Sequence, residues 1–183
     1  MSIGVTKAVR PTVRDASIGD LPIIHSIYAH HVCHGLASFE EAPPDVGELT
    51  RRRDEIVARG LPYVVVERAG DVCAFAYATP YRARSAYRYT VEDSVYVAPD
   101  ATGQGLGRAA VAEVIRRCDQ LELRQMIAVI GDSNNLASIR LHERLGFRHA
   151  GTLASVGFKF GRWVDSVIMQ RPLGSGDSSA PNH

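Results

Sequence analysis

The chain has 183 residues, 45% of them apolar and 22% charged, with a formal net charge of +1. That length fills one core and is short for two domains, and a balanced charge with no basic run offers nothing to a nucleic acid. No apolar run approaches the roughly 20 residues of a membrane helix, and Met1 to Thr12 lacks the apolar stretch of a secretory signal, so the expectation is a cytoplasmic protein with no membrane partner. Cys33, Cys73 and Cys118 form no C-x-x-C pair and fit buried thiols in a reducing compartment.

Met1 to Pro11 has no periodicity, and Gly174 to His183 is Gly, Ser, Asp, Pro and Asn; both read as disordered tails around a single domain over 12–173. Thr12 to Asp15 is a short strand. Ser17 and Asp20 offer caps and Pro22 suits a first helical turn, so Ile23, Ile24, Ile27 and Tyr28 predict a helix to about Cys33. Gly35 to Pro44 is a loop carrying Phe39, Glu40 and Glu41. Asp45 to Arg59 is a charged helix ended by Gly60. Tyr63 to Glu67 and Val72 to Tyr81, joined by Ala69-Gly70-Asp71, predict an antiparallel hairpin. After the polar loop Arg82 to Arg88 come a strand, Thr90 to Val97, and a glycine-rich loop. A helix from about Gly105 to Leu121 follows, with Val111, Val114, Ile115 and Cys118 on one face. Gln125 to Gly131 is an apolar strand, Asn134 to Leu145 a helix stopped by Gly146, and Arg148 to Phe158 and Trp163 to Arg171 two last strands. One β-α-β crossover among otherwise sequential strands predicts an α+β sheet of mixed direction.

The chemistry centres on Glu92 to Arg108. Backbone amides left free at a helix N-terminus make an anion site, and glycines let a phosphate approach the main chain. A P-loop requires Gly-Lys-Ser/Thr, whereas Gly107 is followed by Arg108 and Ala109. A dinucleotide fingerprint requires a third glycine at position 108 and an acid closing the next strand, which Gly131-Asp132 matches loosely. A plain glycine turn before a helix is the bland alternative.

Gly105-Leu106-Gly107 resembles the acetyl-CoA pyrophosphate loop of the GNAT N-acetyltransferases, Arg/Gln-x-x-Gly-x-Gly/Ala, with Thr102 in place of the Arg/Gln. One strand and one helix later, Asn135-Leu136-Ala137-Ser138, His142 and Gly146-Phe147 are similar to the family's second motif. Thr90 to Val97 and the tail Gly157-Phe158-Lys159-Phe160-Gly161-Arg162-Trp163-Val164-Asp165, with Gln170, resemble the phosphinothricin N-acetyltransferase group over Thr12 to Leu173. The resemblance implies a mixed, mostly antiparallel sheet with helices on both faces and a splayed central strand pair. It implies acetyl-CoA as co-substrate, no metal, an acceptor such as phosphinothricin, methionine sulfoximine or methionine sulfone, and a homodimer.

It also implies site roles. Glu92 is the base for the amine, suited to this by the raised pKa of a desolvated carboxyl; a salt bridge to Arg82, Arg84 or Arg88 is its bland alternative. His142 stands where many relatives carry a tyrosine that protonates the coenzyme thiolate, and shares a helical face with Asn135 and Ser138. Main-chain groups of Val95, Tyr96 and Val97 pair with pantetheine, and Gly103, Gln104, Gly105, Leu106, Gly107 and Arg108 take the pyrophosphate. Arg82, Ala83, Arg84, Asp93, Ser94, Phe39 and Lys159 face the acceptor with Glu92, an arginine gripping the carboxylate in bidentate fashion. His30, His31, Cys33 and His34 suggest a metal cluster by spacing, but no acid completes it. Two alternatives stay open: an acetyltransferase for other amines, polyamines or protein N-termini, and an acyl-CoA sensor without catalysis.

Overall fold

The computed structural model describes residues 10–181, so most of the expected N-terminal tail (Met1 to Pro11) and the last two residues of the C-terminal one lie outside the described residues. Strands β1 (Thr12–Asp15), β2 (Tyr63–Arg68), β3 (Asp71–Pro80), β4 (Thr90–Val97), β5 (Gln125–Gly131), β6 (Arg148–Lys159) and β7 (Arg162–Pro172) form one sheet in the order β1-β2-β3-β4-β5-β7-β6. All neighbours are antiparallel except β4 and β5, which are parallel and connected through helix α3 (Leu106–Gln120). Helices α1 (Leu21–His34) and α2 (Val46–Ala58) cover one face, and α3 and α4 (Leu136–Arg144) the other.

Side-chain alternation explains why so many strands read as unbroken apolar runs. In β2, Tyr63 and Val65 join Leu21, Ile24, Ile27, Val32 and Phe75 under α1 and α2, while Val64 and Val66 join Val111, Val114, Met126 and Met169 under α3. A strand buried on both faces needs apolar residues at every position, not at every second one. The predicted Val111, Val114, Ile115 and Cys118 face of α3 is buried throughout.

Short-range chemistry sets the element ends. Asp20 accepts the Ser17 N–H at 2.7 Å and grips Arg14 through both oxygens at 2.7 and 2.8 Å, which holds its carboxyl well below the usual range. Asp45 caps α2 by accepting the Glu48 N–H at 2.7 Å. Helix α3 begins at Leu106 because Gly105 has φ +78°, outside the helical region. Helix α4 begins at Leu136 because Asn135 is its cap, its side chain accepting the Ser138 N–H. At the other end, the Gly174 N–H donates to Asp119 and Arg124 reaches Ser179 and the Ala180 carbonyl. Of the three thiols expected to be buried, Cys118 is; Cys33 is exposed at the end of α1 and Cys73 half-buried.

Candidate active site

The parallel pair β4–β5 is joined from Thr90↔Gln125 to Asp93↔Ala128 and no further, so the strands part after Asp93. The register with β3 tells which main-chain groups face the parting. The Tyr81 N–H donates to the Thr90 carbonyl at 3.2 Å and the Ala98 N–H to the Cys73 carbonyl at 2.8 Å, so even-numbered residues of β4 bond to β3. Val95 and Val97 therefore turn their N–H and C=O groups toward β5 in the open part. His31 on α1 holds the Val97 carbonyl through Nε2 at 2.8 Å. A cavity of about 50 Å³ lies in the gap, lined by Asp93 to Tyr96, Ala128 to Gly131, Ala37, and Asn135, Ser138 and His142 of α4.

Beyond the C-terminal end of β4 the chain turns into the glycine loop. Gly103 and Gly105 have φ +74° and +78°, and open space surrounds the position of an added Cβ at each. Gly107 has a packing reason instead: a Cβ there would lie 3.0 Å from Leu141 and 3.1 Å from Val97, so the glycine lets α3 approach β4 closely. The first-turn amides of α3, at Leu106, Gly107 and Arg108, have no earlier turn to bond and face outward with the exposed Gln104 and Arg108.

On β4 the side chains divide by parity: Glu92, Ser94 and Tyr96 point to the α1–α2 face, Asp93, Val95 and Val97 to the α3–α4 face. Glu92 lies across from Thr79 and Ile127 and is half-buried. Burial, and then the charge of Asp93, push its carboxyl above the usual range, with Arg82 pulling the other way. Arg82 and Ala83 line a cavity of about 470 Å³ on this face, together with Tyr28, Arg52, Arg59, Phe75 and Tyr77. The Arg82 guanidinium lies 5.0 Å from the Tyr81 ring centre. Burial pushes the Tyr77 phenol up to about 12, so Tyr77 offers this wall a neutral hydroxyl beside the charged Arg52, Arg59 and Arg82.

Four sequence-predicted acceptor residues lie elsewhere. Arg84 lines the adjoining groove with Ser85 and Arg88. Phe39 rests on Gly157 and Gly131, where a Cβ would run into its ring. Lys159 is 2% exposed, its ammonium donating to the Gly35 and Ser38 carbonyls. Asp93 is on the face opposite Glu92. The histidines near the end of α1 also separate: His30 and His34 stack at 4.7 Å, while His31 turns to β4. Among the described residues no group of three or more His, Cys, Asp or Glu is arranged to hold a metal ion.

His142 is 2% exposed and bonded through both ring nitrogens. Nδ1 lies 2.8 Å from the Ser138 carbonyl and Nε2 3.0 Å from Asp93 Oδ2. A carbonyl only accepts, so Nδ1 carries a proton; a carboxylate also only accepts, so Nε2 requires a second. A neutral imidazole has one N–H, so with the shared proton on Asp93 the pair is neutral, and with it on the ring the two bonds hold an imidazolium on a carboxylate. Burial opposes that charge, but the Asp93 hydrogen bond, the Asp93 charge and the Ser138 carbonyl outweigh it and raise the His142 pKa. The second Asp93 oxygen, Oδ1, is buried with no hydrogen-bond partner in the structure. Sequence reasoning singled out both residues but did not pair them; the alternation of β4 was the available signal, since it turns Asp93 toward α4.

Comparison with known proteins accords with this geometry. The model of the acetyltransferase (GNAT) family matches residues 24–147, a span that runs from α1 to just past α4 and includes the glycine loop, the strand gap and the Asn135–His142 face. The chain belongs to the GNAT acetyltransferase family, in the group that contains the phosphinothricin and methionine sulfoximine acetyltransferases. It is 57% identical over 170 residues to the phosphinothricin N-acetyltransferase of Alcaligenes faecalis, covering 93% of this chain and 86% of that one. It is 40% identical over 163 residues to the L-methionine sulfoximine/L-methionine sulfone acetyltransferase of Pseudomonas paraeruginosa, covering 88% and 94%. Among solved structures, a GNAT superfamily phosphinothricin acetyltransferase from Sinorhizobium meliloti, in complex with AcCoA, matches with a TM-score of 0.91 at 45% identity over 94% of each chain.

Proposed function

We propose that the chain transfers the acetyl group of acetyl-CoA directly to the α-amine of a small anionic amino acid such as phosphinothricin, methionine sulfoximine or methionine sulfone. The observation that carries this is the gap itself: the main chain of Val95 and the Val97 N–H turn toward it past the last β5 rung, on a strand whose other face bears the half-buried Glu92, with a cavity edged by Arg82 on that face. The acceptors in the relatives' names support the substrate class, and the AcCoA complex of the solved relative supports the donor.

In this mechanism Arg82 grips the acceptor carboxylate and Glu92 takes a proton from its ammonium group. The raised pKa of Glu92 suits that exchange near neutral pH. The freed amine attacks the thioester carbonyl, and the N–H of Val95 faces the developing oxyanion. As the C–S bond breaks, His142 supplies the proton that the thiolate takes, and the product nitrogen loses its extra proton to solvent. The outward amides of Leu106 to Arg108 and the Arg108 side chain bind the pyrophosphate, while Gly103 to Gly105 leave room for it.

The proposal includes a single domain over 12–173, a cytoplasmic location, a detoxifying role and a homodimer. Exposed Leu153, Val156 and Phe158 on edge strand β6, with Trp163 packed on Phe158 at 5.2 Å, support the dimer; light scattering giving a monomer mass would refute it. The deciding experiment is an acceptor panel read by thiol release from acetyl-CoA. Phosphinothricin and methionine sulfoximine are expected to outpace other amino acids and polyamines, and equal rates across the panel reject the acceptor class.

A further inference from the structure

The loop between α1 and α2 is held with unusual thoroughness for an irregular segment. Lys159, at the end of β6, donates from Nζ to the Gly35 carbonyl at 2.9 Å and to the Ser38 carbonyl at 2.7 Å. Tyr28 and Ser38 share a hydroxyl bond at 3.1 Å, and the Glu40 N–H donates to the same Ser38 oxygen at 3.2 Å. Arg52 on α2 binds the Glu40 carboxylate at 2.6 Å. The Phe39 ring fits over Gly157, and the Leu36 carbonyl lies where a Cβ at Gly131 would be, so both glycines are spaces that the loop occupies.

The ammonium is the exceptional part. Lys159 is 2% exposed and among the described residues forms no ion pair; its ammonium donates to two backbone carbonyls and lies 4.9 Å from the Phe160 ring centre, and burial lowers its pKa. A buried charge without a counter-charge is costly to folding, and an apolar side chain would fill the same space. What the charge does is hold two carbonyls of one loop at once.

The position of that loop says what the holding is for. Ala37 is in the wall of the gap beside Ser94 to Tyr96 and Val129 to Gly131. Gly131 is the last residue of β5, past the point where β5 leaves β4. Tyr28, bonded to Ser38, is in the wall of the cavity that contains Arg82. The loop thus walls the gap through Ala37 and is tied through the Ser38–Tyr28 bond to a wall residue of the Arg82 cavity. We propose that Lys159 is a positioning residue, its buried ammonium locking the Gly35 to Glu40 loop against the splayed end of β5 so that the loop closes the α1 side of the gap to water. The catalytic part rests on the transferase reading above. With the wall in place, the thioester meets the amine; with it loosened, water attacks the same carbonyl, the C–S bond breaks, and acetate and coenzyme A form with no acceptor consumed.

The test is Lys159→Met in the full chain, a swap of similar volume that removes the charge without opening a cavity. Hydrogen exchange of the Leu36 to Glu40 amides, read without any ligand, is expected to accelerate at least tenfold while the core of β2 and β3 stays protected. With acetyl-CoA and acceptor, the ratio of acetyl-CoA hydrolysed to acetyl transferred is expected to rise about tenfold, and the acceptor KM to rise more than kcat falls. Should Lys159→Met fail to fold, Gly157→Ala displaces Phe39 with the ammonium intact and must raise the same ratio. Unchanged loop exchange and an unchanged ratio overturn the proposal, as does a loss of protection spread evenly over the molecule. A wild type that transfers acetyl to no acceptor rejects the transferase reading instead, and leaves the loop exchange to judge the clamp on its own.

Discussion

Asp93→Asn tests the proton count in the buried pair. The raised His142 pKa favours a ring that donates from both nitrogens, to Ser138 and to Asp93. Asparagine keeps the shape but offers an amide N–H to an unprotonated Nε2, so the ring becomes neutral with its remaining proton on Nδ1. A hydrogen bond to a charged group contributes about 1.5–3 kcal/mol against roughly 1 for a neutral one, so the variant should be about 0.5–2 kcal/mol less stable near pH 6. The sign of the pH dependence follows from the direction of the shift. The His142 pKa is raised on folding, so its contribution is fully present below its unfolded value, about 6.5, and is lost as pH rises through the folded one. The stability gap between wild type and Asp93→Asn should therefore close from neutral to alkaline pH. Urea midpoints at steps from about pH 6 to about pH 9 measure the gap, and nitrogen NMR of the ring counts its protons. Parallel stability curves, or a wild-type ring with a single N–H near pH 6, refute the imidazolium assignment.

Other substitutions probe the remaining parts. Glu92→Gln should lower kcat by about 10²–10⁴-fold with coenzyme binding by calorimetry unchanged. In the wild type the acidic limb of kcat/KM should lie above the ordinary carboxylate range, since burial raises the Glu92 pKa, and the variant should lose that limb; equal turnover removes Glu92 as base. Arg82→Ala should raise the acceptor KM roughly 10–100-fold, the worth of one charge-assisted hydrogen bond, whereas Arg84→Ala, in the neighbouring groove, should change it little. An equal effect of the two would deny Arg82 its special place. Gly107→Ala places a methyl 3.0 Å from Leu141 and 3.1 Å from Val97, and overpacking of about 1–3 kcal/mol should lower Tm by roughly 2–10 °C; an unchanged melting curve rejects the close-approach explanation.

The parts of the fold that were legible in the sequence are those carried by local chemistry. Ser17, Asp20 and Pro22 mark the start of α1, Gly60 the end of α2, and Ala69-Gly70 the β2–β3 turn, because caps and turns are decided by residues within a few positions of one another. The glycine loop and Asn135 were visible for the same reason, although Asn135 and Gly105 proved to flank their helices. What escaped were contacts made across the fold. Asp93 and His142 are 49 positions apart, and Lys159 reaches Gly35 across 124; neither pairing has a local pattern to announce it. The sequence reading sets Lys159 toward the acceptor, but an exposed amine and a buried one are the same letter. Docking of the β6–β7 hairpin against the α1–α2 loop, not composition, buries this one.

Strand β4 shows how the two kinds of information combine. Its period of two sends Glu92, Ser94 and Tyr96 to one layer and Asp93, Val95 and Val97 to the other. The adjacent acids Glu92 and Asp93 therefore do not compete for one site. Glu92 is half-buried on the α1–α2 face, its pKa raised by burial and drawn back by the charge of Arg82. Asp93, one residue on, is fully buried and bonded to His142 at the last rung that joins β4 to β5. Moving the register by one residue would exchange the two environments, turning Asp93 to the α1–α2 face and burying Glu92 against α4. Separation of the two acids thus depends on strand alternation, while the stop of the ladder after Asp93 frees the Val95 main chain and the Val97 N–H from β5. A substitution that extended the ladder past Asp93 would remove the binding groups for the donor and leave both acids in place, so loss of coenzyme binding with an unaltered Glu92 titration is the signature expected of a closed gap.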